Sequence, residues 1–144
     1  MHIFLIRLSL LGIFLGFYTV QSQKLNIKSC DSLPTQKAIN ACVFKVYNAS
    51  QTNLNKAYTL FLKKLDNKIK TKDAFVSKKN KSLKLFLKES QMHWILARDY
   101  NAQAKSSFEL SPLKADYAFY KSKTLESINR IKYLTRLADS LNLK

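Results

Sequence analysis

A chain of 144 residues with 25 Lys and Arg against 9 Asp and Glu, a formal charge of +16, and only two Gly, two Pro and two Cys makes one soluble domain at most. Its 47% hydrophobic content is enough to fill a core and excludes a wholly disordered chain, while the shortage of Gly excludes Gly-rich phosphate loops and argues against a sheet joined by tight hairpins. Abundant Lys, Leu and Ala with few helix breakers leave an all-α chain, and the charge bears on partners rather than on fold.

Residues 1–22 read as a secretory signal peptide. Arg7 forms a basic start, Leu8 to Phe17 an apolar stretch, and Val20-Gln21-Ser22 an exit suited to cleavage before Gln23. The alternative is a retained anchor, since about 20 apolar residues just span a bilayer. Lipidation at Cys30 is disfavoured, because Lys28 stands where a small apolar residue is needed, well past the apolar stretch. The expected product is a domain over residues 23–144, periplasmic or secreted from a bacterium. Losing Arg7 alone leaves 24 basic against 9 acidic residues, so the exported part stays strongly basic. Export implies an oxidising compartment, in which Cys30 and Cys42 should close into a disulfide.

Three helical stretches follow. Ser32-Leu33-Pro34-Thr35 supplies cap-type hydroxyls and a proline suited to a helix start. After it, Ile39, Val43, Val46/Tyr47, Ser50, Leu54, Ala57/Tyr58, Phe61 and Leu65 recur at three- and four-residue spacing, one face of a helix over roughly 34–68. A second stripe, with Phe75, Val76, Leu83, Leu87, Gln91, Trp94, Arg98 and Asn101, predicts a helix over about 73–105, either continuous or broken near Asn80. Ser111 at a cap position and Pro112 in the first turn open the third, whose stripe is Tyr117, Tyr120, Thr124/Leu125, Ile128, Ile131, Leu134, Ala138 and Leu141. Connections this short fold the three into a small antiparallel bundle with one N-terminal disulfide.

Gln91, Trp94 and Arg98 point the same way from the second helix, with Leu54 and Asn55 placed to face them from the first. A buried Gln or Arg must find partners, so this group is either a satisfied network that sets helix register or, through Trp94 and Arg98, a contact surface for a ligand. Catalysis has little support. His93 has no nucleophilic partner, the acids are scattered, and two Cys with one exported His do not make a zinc site. No small-molecule cofactor is expected. Eleven lysines lie between Lys56 and Lys88, opposed by Asp66 and Asp73 only. They are either a solvated surface or a basic face, Lys63, Lys64, Lys78 and Lys79 among them, that attracts an anionic envelope polymer or membrane surface. The sequons at Asn48 and Asn80 are read as chance occurrences in an Asn- and Ser-rich chain.

In order along the chain stand Cys30 and Cys42, Leu54-Asn55 with Ala57-Tyr58, then Leu87, Gln91, Trp94 and Arg98-Asp99, and finally Ser127 with Arg130. This set, covering about Cys30 to Leu137, resembles the LprI-type lysozyme-inhibitor family. The resemblance implies a non-catalytic, exported helical domain and, by extension, binding to a lysozyme or another cell-wall hydrolase. It marks Leu54, Asn55, Tyr58, Gln91, Trp94, Arg98, Asp99 and Arg130 as structural or binding positions without defining a binding face. The family's second cysteine pair is missing, its neighbourhoods here reading Tyr100-Asn101-Ala102 and Lys121-Ser122-Lys123, which predicts a looser C-terminal half. Charge opposes the inhibitor reading at long range, since many lysozymes are themselves basic; a basic module on an anionic envelope component is the alternative.

Overall fold

The computed structural model describes residues 26–142, so the signal-peptide reading of residues 1–22 lies outside it. A 3-10 turn, η1 (Ile27–Ser29), precedes three long helices, α1 (Gln36–Ile69), α2 (Ala74–Ser107) and α3 (Pro112–Ser140). Each start has a local cause. Thr35 accepts from the Ala38 backbone N–H and Asp73 from that of Val76, while Ser111 holds the cap position with Pro112 behind it, where a missing N–H costs nothing. Pro34 lies just ahead of α1 rather than inside its first turn. α2 runs unbroken through Asn80, because Asn is a weak helix former yet removes no backbone donor.

Side-chain pairs fix the topology. Ser77 donates to the Ile69 carbonyl, Lys84 pairs with Asp66 and Arg98 donates to Gln51, so α2 descends as α1 rises. Arg130 with Gln91 and Lys123 with Asp99 run α3 antiparallel to α2. Asn40 donating to the Leu113 carbonyl and Gln51 to Ser127 set α1 and α3 parallel. The result is an up-down-up bundle about 50 Å long at 1.5 Å per residue.

Its apolar interior comes in two blocks. At the α1–α2 turn end Leu54, Phe61, Leu65, Leu87, Leu134 and Ala138 pack together, with Tyr58, Leu83, Trp94 and Ile131 against them. At the other end Ile27, Cys30 and Val43 pack with Ile39, Val46, Tyr117 and Tyr120. There the Cys30 and Cys42 sulfurs are bonded at 2.06 Å, and Asp31, on the strap they hold, accepts from Tyr117 and pairs with Lys121. The hydrogen bond from Tyr117, aided by the Lys121 charge, outweighs burial and holds the Asp31 carboxyl below its ordinary range.

Two stripe positions differ from expectation, and a third, given as a pair, is resolved. Phe75 is 77% exposed, at the first turn of α2 where the bundle has ended. Asn101 is exposed and Ala102 is fully buried in its place. Of Thr124/Leu125, it is Thr124 that faces inward; its hydroxyl is satisfied by donating to the Tyr120 carbonyl one turn back.

Candidate functional site

Between the two apolar blocks lies a polar layer contributed by all three helices. Arg98 is its centre. Only 5% exposed, it donates to Gln51 at 2.7 Å, to Ser127 at 3.3 Å and to Asp99 at 2.8 Å. Gln51 turns its amide to Ser127 at 2.8 Å, and Ser127 donates to the Lys123 carbonyl at 2.7 Å. Lys123 closes the ring on Asp99 at 3.0 Å, with its ammonium over the rings of Tyr47 and Phe119. Burial opposes the Asp99 charge, but hydrogen bonds from Arg98 and Lys123, together with their positive charge, win and hold the carboxyl below its ordinary value. A buried guanidinium is tolerable only when its donors are used in this way.

One turn along, Trp94 stands half-buried between two guanidiniums. Arg98 lies 5.1 Å from its ring centroid and Arg130, from α3, 5.5 Å. Arg130 also stacks 5.1 Å over Tyr133, donating to Gln91 at 3.0 Å and to Ser90 at 3.1 Å. Among the described residues Arg98 has a carboxylate and Arg130 has none. Burial lowers the Arg130 pKa, with Tyr133 and Tyr58 acting against that shift, yet a guanidinium so placed remains charged at neutral pH. Ser90 and Tyr133 are exposed, so the outer end of this stack opens between α2 and α3. It presents a partly desolvated, positively charged fork on an aromatic floor, a shape that suits a carboxylate or another planar anion.

The structure therefore brings Gln91, Trp94, Arg98, Asp99 and Arg130 together, with Leu54 and Tyr58 packing beneath them. Burial raises the Tyr58 pKa, against the charges of Arg130 and Lys84. Asn55 is not part of the group. It is exposed, because the residue after Leu54 is turned about 100° away on a helix; the polar partner is Gln51, one turn earlier. Gln51 lies three residues before Leu54 and seven before Tyr58, a spacing that could have identified it. Lys123 gave no such signal, since a lysine is rarely read as interior.

The four lysines of the expected basic face are spread over two helices. Lys63 is exposed on α1, and Lys64 flanks a groove of about 120 Å³ against Leu134 and Asp139 of α3. Lys78 and Lys79 are exposed on the first turns of α2. Where the second cysteine pair would fall, Ala102 and Ser122 are both buried, and the Ser122 hydroxyl has no hydrogen-bond partner among the described residues.

A family model described as Lysozyme inhibitor LprI matches residues 28–141. No curated protein and no solved structure matches the chain.

Proposed function

As the chain belongs to the LprI lysozyme-inhibitor family, we propose that it is a non-catalytic inhibitor that binds a cell-wall hydrolase outside the cytoplasm, after removal of residues 1–22. The observation that carries this reading is Arg130. Its guanidinium is stacked over Trp94 and Tyr133, tied to Gln91 and Ser90, and without a carboxylate of its own among the described residues. Wall glycans are cut by hydrolases that carry two carboxyl groups in the cleft. A preorganised guanidinium fork between aromatic rings is the complement of such a cleft, and Trp, Tyr and Arg are the residue types that dominate binding energy at interfaces. The same arrangement answers the objection from charge. Long-range repulsion between two basic proteins slows encounter, whereas a short-range Arg–carboxylate contact in a desolvated patch sets the lifetime of the complex.

The test is inhibition of lysozymes by the exported protein at about 0.15 M salt, where the Debye length is about 8 Å. Arg130→Ala is expected to raise the inhibition constant roughly 30-fold, the scale of a hot-spot residue. Arg130→Lys should recover little of that loss, because an ammonium lacks the planar fork. Replacing Lys63, Lys64, Lys78 and Lys79 with Gln should leave inhibition intact or strengthen it against a basic enzyme. Unchanged inhibition by a folded Arg130→Ala protein refutes this anchor, and absence of inhibition across lysozymes of several classes refutes the function.

A further inference from the structure

α2 is apolar on two sides. Leu87, Gln91, Trp94 and Arg98 face the bundle, and the opposite side carries a second set that stays more than half exposed, with Leu85 at its edge beside Asp66 and Ile69 of α1. Lys78, Leu85, Met92 and Leu96 follow one another at intervals of seven, seven and four residues, one column on the helix surface. Phe75 and Phe86, eleven residues or about three turns apart, form a column beside it. Phe86 is 63% exposed, Leu85 and Met92 56% each, and Leu96 52%. Around and among them stand the exposed Lys78, Lys79, Lys81 and Lys88, with Glu89 as the one acid on that face.

We propose that this outer face of α2, from Phe75 to Leu96, is a peripheral docking surface for an anionic lipid bilayer. Charge complementarity selects that occupant. Two copies meeting through this face would set eight lysines against one another, and a soluble anionic polymer would draw on the ammonium groups while leaving Phe75, Leu85, Phe86 and Met92 in water. An anionic bilayer satisfies both sets, taking the apolar side chains into the headgroup–acyl boundary and the lysines to the headgroup phosphates. The helix would lie along the membrane plane, for no described helix is long and apolar enough to cross one. The face points away from Trp94 and Arg130, so this inference does not depend on the inhibitor reading.

The experiment uses the exported protein with vesicles of phosphatidylglycerol mixed with phosphatidylcholine, and with vesicles of phosphatidylcholine alone. Binding is expected to the first and not to the second, and to be lost in about 1 M salt, where the Debye length is about 3 Å. Each lysine near the surface contributes roughly fivefold, so replacing Lys78, Lys79, Lys81 and Lys88 with Gln should weaken binding on the order of several hundredfold. Leu85→Ser with Phe86→Ser, both more than half exposed, should also release the protein, with an unchanged far-UV circular dichroism spectrum showing that the fold is kept. Phe86→Trp supplies the decisive readout, a blue shift of its emission on anionic vesicles, while the wild-type protein, whose Trp94 lies on the other side of α2, shows none. Three results overturn the proposal. They are equal binding by the lysine variant, co-sedimentation without a blue shift from the residue 86 reporter, and a concentration-dependent dimer that the two serine substitutions dissociate.

Discussion

Replacing Arg98 with Ala tests whether the polar layer holds the three helices together. The substitution removes one charged hydrogen bond to Gln51 at 2.7 Å and a longer one to Ser127, and it leaves the partly buried Gln51 carbonyl oxygen without its donor. Hydrogen bonds to a charged group contribute about 1.5–3 kcal/mol each, and an orphaned buried acceptor costs about 1–3 kcal/mol. The ion pair adds little, since Asp99 is 42% exposed and retains Lys123, so its share is screened by water. Loss of Arg98 also removes the guanidinium that stacks on one side of Trp94. These effects overlap, and a total of about 3 kcal/mol is expected, read as a fall of roughly 10–20 °C in melting temperature for a domain of this size. Urea unfolding at neutral pH gives the free energy directly. A double-mutant cycle with Gln51→Ala should show coupling of about 1–2 kcal/mol, because the double variant leaves no orphan. A single-variant loss within about 0.5 kcal/mol, as at surface sites, would refute the reasoning.

Ser122→Ala deletes a buried hydroxyl that has no partner among the described residues and should be neutral or stabilising by up to about 1 kcal/mol; clear destabilisation in the same urea assay would mean that the hydroxyl is bonded in solution. Cys30→Ser with Cys42→Ser should cost about 3 kcal/mol by the chain-entropy estimate, and the native protein should yield no alkylatable thiol before reduction by mass spectrometry. Asp99 and Asp31 have lowered pKa values in the fold, so their contribution is present above the ordinary carboxylate pKa and is lost as pH falls through the folded value. Unfolding followed from pH 7 into the acid range should therefore show stability declining below about pH 4, with a shallower decline in Asp99→Asn.

Helix existence and type were legible in the sequence because the three- and four-residue spacing is a direct image of the bundle's inner faces, and Thr35, Asp73 and Ser111 stand where the caps form. Less was legible of the polar layer. A pattern that marks Gln91, Trp94 and Arg98 as facing inward does not say which residue of α1 meets them, and the choice between Asn55 and Gln51 turns on a rotation that only packing sets. Lys123 was invisible because its interior position depends on Asp99 and on the rings of Tyr47 and Phe119, each distant in sequence or on another helix. Phe75 misled for the opposite reason. It extends the α2 stripe past the end of the bundle, where periodicity continues and there is nothing left to cover it.

The parallel pairing of α1 and α3, with α2 reversed between them in sequence, makes the molecule an electric dipole. The half of the rod that holds the α1–α2 turn sets all eleven lysines from Lys56 to Lys88, with Arg130, Lys132 and Arg136, against Asp66, Asp73, Glu89 and Asp139, while the half around the disulfide sets eight basic residues against Asp31, Asp99, Glu109, Asp116 and Glu126, so the positive charge is concentrated at the turn end. Two helix C-termini, negative by their backbone alignment, sit at the lysine end beside the single positive N-terminus of α2, and the net negative end stabilises the cations gathered there. A rod so polarised experiences a torque in an external field, so an approach to a negatively charged boundary begins with reorientation rather than with contact. The lysine end leads, the disulfide end trails, and the angle of first collision is set before any side chain touches. Transient electric birefringence would measure that moment, and its decay time would report the length of the rod.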